Sequence, residues 1–195
     1  VDGIMIVTPY YSKPSQHGIL RHFEEISKIT DLPIMAYNIP GRTSTLIELE
    51  TLQTLVVDIG IHSIKDAVGD FEFSKKQLEL LKDKADIYSG NDNQTYDFVI
   101  NGGVGVVSVA SHVVGDEISK MISFAKDNDL EKAEEINMQL SNLFEAIFEE
   151  PSPGPIKKIL SESWEEVGEP LLPITGISPE LANKIRDFYK KIKEN

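Results

Sequence analysis

Short apolar runs alternate with amphipathic segments of helical period, and this alternation limits the possible folds more than any other feature. Five runs have the length and residue types of strands, at residues 3–8, 33–38, 61–65, 87–89 and 105–109. They begin about 20 to 30 residues apart, which is the repeat of βα units in a parallel sheet. Because the runs are apolar almost throughout, we expect both faces of the sheet to be buried.

Helices are predicted between these runs and throughout the rest of the chain. The first follows a candidate N-cap, Ser15, and its packed face is predicted from apolar residues spaced by three or four, namely Ile19, Phe23, Ile26 and Ile29. Others are predicted at 47–57, 71–81 and 94–100. From residue 111 onward only helices are predicted, with a break at the prolines of 151–155 and one packing stripe formed by Ala133, Ile136, Leu140, Leu143 and Ile147.

Two architectures are built from such units, the open doubly wound sheet and the (β/α)8 barrel. A barrel needs eight units and about 250 residues, so five units and a helical tail would form its last five-eighths. The sequence begins at Val1, without methionine, and enters its first strand almost at once. We therefore predict strands four to eight of a barrel over residues 1–126, with the first three βα units missing, followed by a helical domain over 127–195.

The charge balance and the lack of cysteine exclude several classes of function. The 19 Lys and Arg residues against 32 Asp and Glu give a formal net charge of −13, which disfavours nucleic acid and anionic membranes as partners. No apolar run reaches the roughly 18–20 residues of a membrane helix, and no signal peptide is recognisable. Without cysteine there are no disulfides, zinc–thiolate sites or thiol nucleophiles. This composition fits a reducing compartment, and we expect a cytoplasmic protein.

Neither a metal site nor a nucleotide site is indicated by the motifs. The histidines are scattered without HxH or HExxH spacing, and we interpret all four as structural: His17, His22, His62 and His112. The GxGxxG and GxxxxGKS/T patterns are absent, and the glycines at 102–105 lead into a strand rather than a helix. We expect neither a metal nor a dissociable cofactor.

Reactive side chains lie where the predicted strands end, which is where both candidate folds place their chemistry. Burial of Lys65 at the end of the third strand would lower the pKa of its amine, and a neutral amine attacks a carbonyl carbon to form a Schiff base. A solvent-facing lysine paired with Asp66 fits the spacing equally well. Tyr37 offers a hydroxyl for proton transfer and Arg42 a guanidinium for a carboxylate, although each alone is more often a packing or loop-bridging residue.

Five segments at these strand ends together resemble the dihydrodipicolinate synthase family of pyruvate-dependent, class I aldolase-like lyases. They are VTPYYSKP from Val7, YNIPGRT from Tyr37, IKDA from Ile64, YSGND from Tyr88 and GVGVVSV from Gly103. Their order and spacing also match, and the resemblance covers essentially the whole chain. It implies a (β/α)8 barrel with a C-terminal helical domain, a homotetramer, and an enzyme of lysine and diaminopimelate biosynthesis.

The resemblance also implies a mechanism. Lys65 would form the Schiff base with pyruvate, Tyr37 would relay protons beside the imine, and Arg42 would hold the carboxylate of aspartate semialdehyde. The enamine made from pyruvate would attack the aldehyde, and ring closure would release 4-hydroxy-tetrahydrodipicolinate. The covalent imine on Lys65 would take the place of any cofactor.

Four more residues receive roles from the same resemblance. Tyr11 would reach into the site of a neighbouring subunit, although the sequence alone is as compatible with an exposed aromatic pair of Tyr10 and Tyr11. The backbone at Gly90 and Val107 would line the pyruvate pocket. Tyr10 would lie near the lysine-feedback site that some members have.

Two alternatives remain open. Lyases of the superfamily that act on sialic acid or sugar acids share the lysine and the tyrosine, although Arg42 favours a small carboxylated aldehyde over a polyol. A non-catalytic barrel used as a binding scaffold is disfavoured because Tyr11, Tyr37, Arg42 and Lys65 are all present. In the family, the first three βα units carry two threonines that bind pyruvate. We therefore expect the 195-residue chain alone to be poorly folded or inactive.

Overall fold

The computed structural model describes residues 1–194, which belong to two compact units, Val1–Val107 and Ser108–Asn195. The first unit alternates strands and helices in the order β1 (Ile4–Val7), α1 (Gln16–Ser27), β2 (Ile34–Asn38), α2 (Pro40–Thr43), α3 (Leu49–Val57), β3 (Ser63–Asp66), α4 (Phe71–Leu80), β4 (Asp86–Ser89), α5 (Thr95–Ile100) and β5 (Gly105–Val106). The second unit contains the helices α6 (Ser111–Lys126), α7 (Leu130–Ala146), α8 (Gly154–Ser163) and α9 (Pro179–Glu194).

The strands of the first unit form one parallel sheet in the order β1-β2-β3-β4-β5. The α/β class and the parallel sheet predicted from the alternation are confirmed. The register aligns side chains of adjacent strands in rows, one of which runs through Val7, Tyr37, Lys65, Tyr88 and Gly105. Because side chains alternate along a strand, this row faces away from the neighbouring row of Ala36, Ile64 and Ile87.

The apolar core of the first unit includes this second row. Ala36 and Ile64 are fully buried and belong to one cluster with helical side chains, including Phe23 of α1 and Leu55 of α3. On the other face of the sheet, the Met5 side chain of β1 is 48% exposed. The expectation of two buried faces is therefore not met at β1, where Met5 is exposed on one face and Ile4 and Ile6 are only half-buried on the other.

Helix α1 illustrates how local sequence sets the ends of an element. Ser15 is its N-cap, as predicted, and the Ser15 Oγ accepts a hydrogen bond from the Gly18 N–H at 3.2 Å. Phe23 is fully buried, whereas Ile29 is 83% exposed. The prediction that Ile29 belongs to the packed face is wrong, because the helix ends at Ser27 and the chain has turned away before Ile29.

The described part of the second unit is helical, as the sequence predicts. Helices α7 and α8 lie on either side of the proline-rich break. The predicted stripe of α7 is buried except for Ile136, which is half-buried. Within this unit α6 packs against α7. None of the helices within residues 1–194 is long and apolar enough to cross a bilayer.

Candidate active site

Lys65 lies at the carboxyl end of β3, between register partners Tyr37 on β2 and Tyr88 on β4. Lys65 is only 9% exposed, and its Nζ lies 4.2 Å from the centre of the Tyr37 ring. Burial lowers the pKa of the Lys65 amine, and the nearby Asp92 carboxylate acts in the opposite direction. The amine is therefore shifted toward the neutral form that attacks carbonyl carbons.

Asp66 does not pair with Lys65, which excludes the alternative of a solvent-facing ion pair at the rim. Its side chain lies on the other face of the sheet and contacts the start of α4. The Oδ1 atom accepts from the Val68 N–H at 2.9 Å, and the Oδ2 atom accepts from the Ser74 Oγ at 2.9 Å. Burial raises the pKa of the Asp66 carboxyl, and these two hydrogen bonds lower it. Asp66 thus attaches the strand end beside Lys65 to α4.

Tyr37 is held at its position by the end of β1. The Tyr37 carbonyl accepts from both the N–H and the Oγ1 of Thr8, each at 3.1 Å, and Thr8 is fully buried. Partial burial of the ring raises the pKa of the Tyr37 phenol, and the Arg42 guanidinium opposes that rise. The phenol therefore keeps its proton at neutral pH, as a residue that donates and recovers a proton must.

Arg42 lies in the last turn of α2, a four-residue helix where the sequence indicates only a proline-containing turn. Pro40 starts the helix, and Ser44 ends it in a left-handed conformation (φ 55°). The Arg42 residue is exposed. The Arg42 guanidinium is close enough to Tyr37 to influence the pKa of its phenol. The Arg42 side chain is also accessible to an anion in solution.

Gly90 and Val107 lie at the carboxyl ends of β4, the neighbour of β3, and of β5, the next strand in the sheet. The Gly90 N–H donates to the Asp66 carbonyl at 2.6 Å, and a Cβ at Gly90 would lie only 2.7 Å from the Ala67 Cβ. The Val107 N–H donates to the Ser89 carbonyl at 2.9 Å. Strand β5 is shorter than the predicted 105–109, because regular pairing ends at Val106 and only this one bond extends it.

Tyr10 and Tyr11 are not brought to Lys65. They lie on the loop between β1 and α1 and are 67% and 95% exposed. Tyr11 has a φ of 65°, a left-handed conformation that is uncommon outside glycine. The loop therefore directs the Tyr11 ring into solvent within this chain.

The histidines contact nearby structure rather than one another. His62 Nδ1 accepts from the Ile34 N–H at 3.4 Å, and the His22 ring meets the Phe23 ring edge to face. His112 Nδ1 lies 2.9 Å from the Val109 carbonyl. Among residues 1–194, no three histidine or acidic side chains are grouped as metal ligands would be.

Three residues of the site are not predicted from the sequence to contribute, namely Asp92, Thr8 and Asn38. Asp92 is 2% exposed and lies within the YSGND segment, close enough to influence the Lys65 pKa. Each of the three is a polar residue at or just after a strand end. Their burial is the feature that the sequence does not reveal.

Comparisons with known proteins identify the family to which this chain belongs. The family model described as the dihydrodipicolinate synthetase family matches residues 1–192. The chain is 37% identical over 194 residues to the 4-hydroxy-tetrahydrodipicolinate synthase of Listeria monocytogenes serotype 4b, covering all of this chain and 66% of that protein. It is 41% identical over 187 residues to the synthase of Thermosynechococcus vestitus, covering 95% of this chain and 63% of that one. The chain thus spans about two thirds of the length of these curated relatives.

A solved structure has a closely similar fold. The dihydrodipicolinate synthase of Thermotoga maritima superposes with a TM-score of 0.95 at 32% identity, covering 98% of this chain and 66% of that one. The similarity extends over both compact units of this chain.

Proposed function

Because the chain belongs to the dihydrodipicolinate synthetase family, we propose that it supplies the catalytic lysine of a 4-hydroxy-tetrahydrodipicolinate synthase. The proposed reaction joins pyruvate to aspartate semialdehyde. One observation carries this proposal: a buried lysine with a lowered pKa lies against the ring of a tyrosine that keeps its proton. An imine-forming amine and a proton donor are the two groups that this chemistry needs first.

The reaction begins at the Lys65 amine. The neutral Nζ attacks the keto carbon of pyruvate, and loss of one water gives the imine. Loss of a methyl proton turns the imine into an enamine, whose terminal carbon attacks the aldehyde carbon of the second substrate. The new alkoxide takes up a proton. The substrate's own amine then attacks the imine carbon, which closes the ring and frees Lys65, with one water as the net by-product.

The remaining residues bind and orient the substrates. Tyr37 donates and recovers the protons of these steps, since its hydroxyl lies on the ring that supports the Lys65 amine. Arg42 binds the carboxylate of aspartate semialdehyde. The backbone of Gly90 and Val107 lines the pyruvate pocket, because both residues lie at the same edge of the sheet as Lys65, at the ends of the next two strands.

The oligomer and the barrel complete this arrangement. We infer that the five strands are strands four to eight of a (β/α)8 barrel, in line with the solved relatives' folds, and that residues 127–195 form its helical domain. Tyr11, which is exposed in the single chain, enters the site of a neighbouring copy in a cytoplasmic homotetramer. Tyr10 contributes to a lysine-binding site; a similar synthase, that of Cyanidioschyzon merolae, was solved with lysine bound.

Reductive trapping tests the proposal directly. Pyruvate and borohydride are added to the 195-residue chain, and also to a polypeptide that joins it to the segments of the Listeria relative that it does not match. We expect one pyruvyl group on Lys65 by intact mass and peptide mapping, at least in the joined polypeptide. Lys65→Arg removes the adduct, whereas Lys75→Arg, which alters an exposed lysine over another ring, retains it.

The aldehyde partner is then identified by turnover. Aspartate semialdehyde is compared with sugar-acid and sialic acid substrates on the joined polypeptide, and we expect activity with the first alone. Trapping without any turnover of aspartate semialdehyde would assign the chain to another lyase of the superfamily. A folded joined polypeptide that forms no adduct would refute the lyase function.

A further inference from the structure

The segment between β2 and α3, residues 39–48, carries Arg42 and is tied down by a side chain outside it. The Asn38 Nδ2 donates to the Ile47 carbonyl at 3.0 Å, and the Ile47 N–H donates to the Asn38 Oδ1 at 3.0 Å. Asn38 and Ile47 are both fully buried. The two hydrogen bonds close the segment into a loop of fixed size, with both polar groups of the Asn38 amide satisfied.

The backbone of Asn38 is anchored as firmly as its side chain. It is the register partner of Asp66, and its carbonyl accepts from the Ala67 N–H at 2.9 Å. Asn38 also directly follows Tyr37. A single residue therefore connects the strand that carries Lys65 with the segment that carries Arg42.

Other hydrogen bonds make the segment stiff between its ends. The Thr43 Oγ1 lies 3.0 Å from the carbonyls of both Ile39 and Thr45, and Thr43 is 1% exposed. From α1, the Gln16 amide bonds to the Leu46 carbonyl at 2.8 Å and to the Glu48 N–H at 3.1 Å. Once Asn38 fixes the loop closure, Arg42 has little freedom except that of its own side chain.

We propose that Asn38 is a positioning residue, whose amide sets the place of Arg42 relative to Lys65. This inference rests on the proposed function, in which Arg42 binds the carboxylate of the second substrate. A guanidinium held in advance binds a carboxylate without the cost of ordering the loop. Asn38 itself touches neither substrate, so its effect falls on the second substrate and not on imine formation.

The test compares Asn38→Ala with the parent protein, in the same joined polypeptide. The substitution leaves the buried N–H and carbonyl of Ile47 without partners, which loosens the segment. We expect KM for aspartate semialdehyde to rise about tenfold or more, since two hydrogen bonds are lost. The rate of pyruvate trapping on Lys65 and the KM for pyruvate stay within about twofold of the parent.

Hydrogen exchange measures the segment without reference to activity. We expect amides of residues 39–48 to exchange faster in Asn38→Ala, with the exchange of α4 unchanged. Leu78→Ala is the matched control, because it removes a buried core side chain of α4 and none of the hydrogen bonds that hold residues 39–48. It accelerates exchange around α4 and leaves the KM for aspartate semialdehyde unchanged.

A second variant covers the case in which Asn38→Ala does not fold. Gln16→Ala removes the bonds to Leu46 and Glu48 from a half-buried position. We expect it to raise the KM for aspartate semialdehyde and the exchange rate of residues 39–48 as well, by smaller amounts. Unchanged exchange in residues 39–48, or equal rises in both KM values, would overturn the proposal. Absence of a pyruvate adduct in the parent refutes the proposed function instead. The exchange result then decides only whether Asn38 holds residues 39–48 in place.

Discussion

The Lys65 Nζ lies over the face of the Tyr37 ring, 4.2 Å from its centre, and the two residues are register partners on adjacent strands. The ring face stabilises a cation, while burial of Lys65 favours its neutral form. The ring and the hydroxyl of Tyr37 therefore have separable effects on the amine. The ring supports it, and the hydroxyl exchanges protons with what the amine binds.

Tyr37→Phe separates these two effects. The variant keeps the ring under the Lys65 amine and removes the hydroxyl, so pyruvate still forms an adduct that borohydride traps. Turnover falls by about 100-fold or more, because general acid–base transfer contributes roughly 10²–10⁴ to the rate. Steady-state assays of the joined polypeptide provide the measurement. Tyr189→Phe, which removes a hydroxyl from α9, keeps full activity, and an equal loss in both variants would contradict the proton role.

The pH dependence of trapping reports the pKa of Lys65. The trapping rate rises with pH as the amine loses its proton, with a midpoint below the ordinary lysine value of 10.5. Asp92→Asn moves that midpoint lower still, because it removes a carboxylate that stabilises the ammonium. Asp97→Asn, a substitution of an exposed carboxylate on α5, leaves the midpoint in place. A midpoint that rises or stays fixed in Asp92→Asn shows that Asp92 does not act on the lysine.

Gly90 is required by the close approach of two strand ends. A Cβ there would lie 2.7 Å from the Ala67 Cβ and 2.9 Å from the Asp66 carbonyl oxygen, neither of which is a flexible group. Gly90→Ala therefore lowers the free energy of unfolding by about 1–3 kcal/mol. Gly41→Ala is the control, since a Cβ at Gly41 meets nothing within 4 Å, and it changes the stability by less than about 0.5 kcal/mol. Urea unfolding measures both, and equal stabilities would disprove the steric argument.

Asp66 makes the stability of the first unit depend on pH. Burial holds the pKa of its carboxyl above the ordinary 3.8, so the folded state binds this proton more tightly than the unfolded chain. The contribution of Asp66 to stability is then greatest at low pH and falls as pH rises from 3.8 through the raised pKa. Asp66→Asn keeps an acceptor for Val68 and has no proton to lose. Relative to the parent, this variant becomes more stable across that window in urea unfolding, and a difference that does not vary with pH rules out the raised pKa.

The order of strands and the residues at their ends can be predicted from sequence because both are local. An apolar run marks a strand, and the next few residues must lie at its end, so the sequence alone is enough to expect Tyr37 and Lys65 at neighbouring strand ends. The prediction for Ile29 is wrong because helical periodicity does not reveal where the chain leaves the helix. The four residues of α2 are too few for a periodic pattern.

Long-range polar pairing is beyond sequence reasoning. Whether Asn38 is exposed or buried depends on Ile47, and whether Lys65 pairs with Asp66 depends on Ser74, a residue of the next helix. The positions of Asn38, Lys65 and Asp66 in the sequence do not show on which face of the sheet each side chain lies. The register does so, because it fixes the direction of every side chain on β3 at once.

The exposure of Tyr11 leads to the last prediction, which concerns two copies of the chain. A tyrosine that is 95% exposed, on a backbone with a φ of 65°, contributes little to the stability of its own chain. We therefore expect Tyr11→Phe to change the free energy of unfolding by less than about 0.5 kcal/mol, yet to reduce turnover strongly. Lys65→Ala removes turnover altogether, because no imine forms.

Mixing these two variants decides which copy supplies the tyrosine. If Tyr11 acts in the site of a neighbour, a mixed pair contains one intact site, with Lys65 from the Tyr11→Phe copy and Tyr11 from the Lys65→Ala copy. Co-expression with different affinity tags isolates the mixed oligomer, and we expect its activity to exceed that of either variant alone, approaching half of the parent value. If Tyr11 acts within its own chain, no site in the mixed oligomer has both groups and the activity does not exceed that of Tyr11→Phe. Recovery therefore requires that the exposed tyrosine crosses between copies, which a single chain cannot provide.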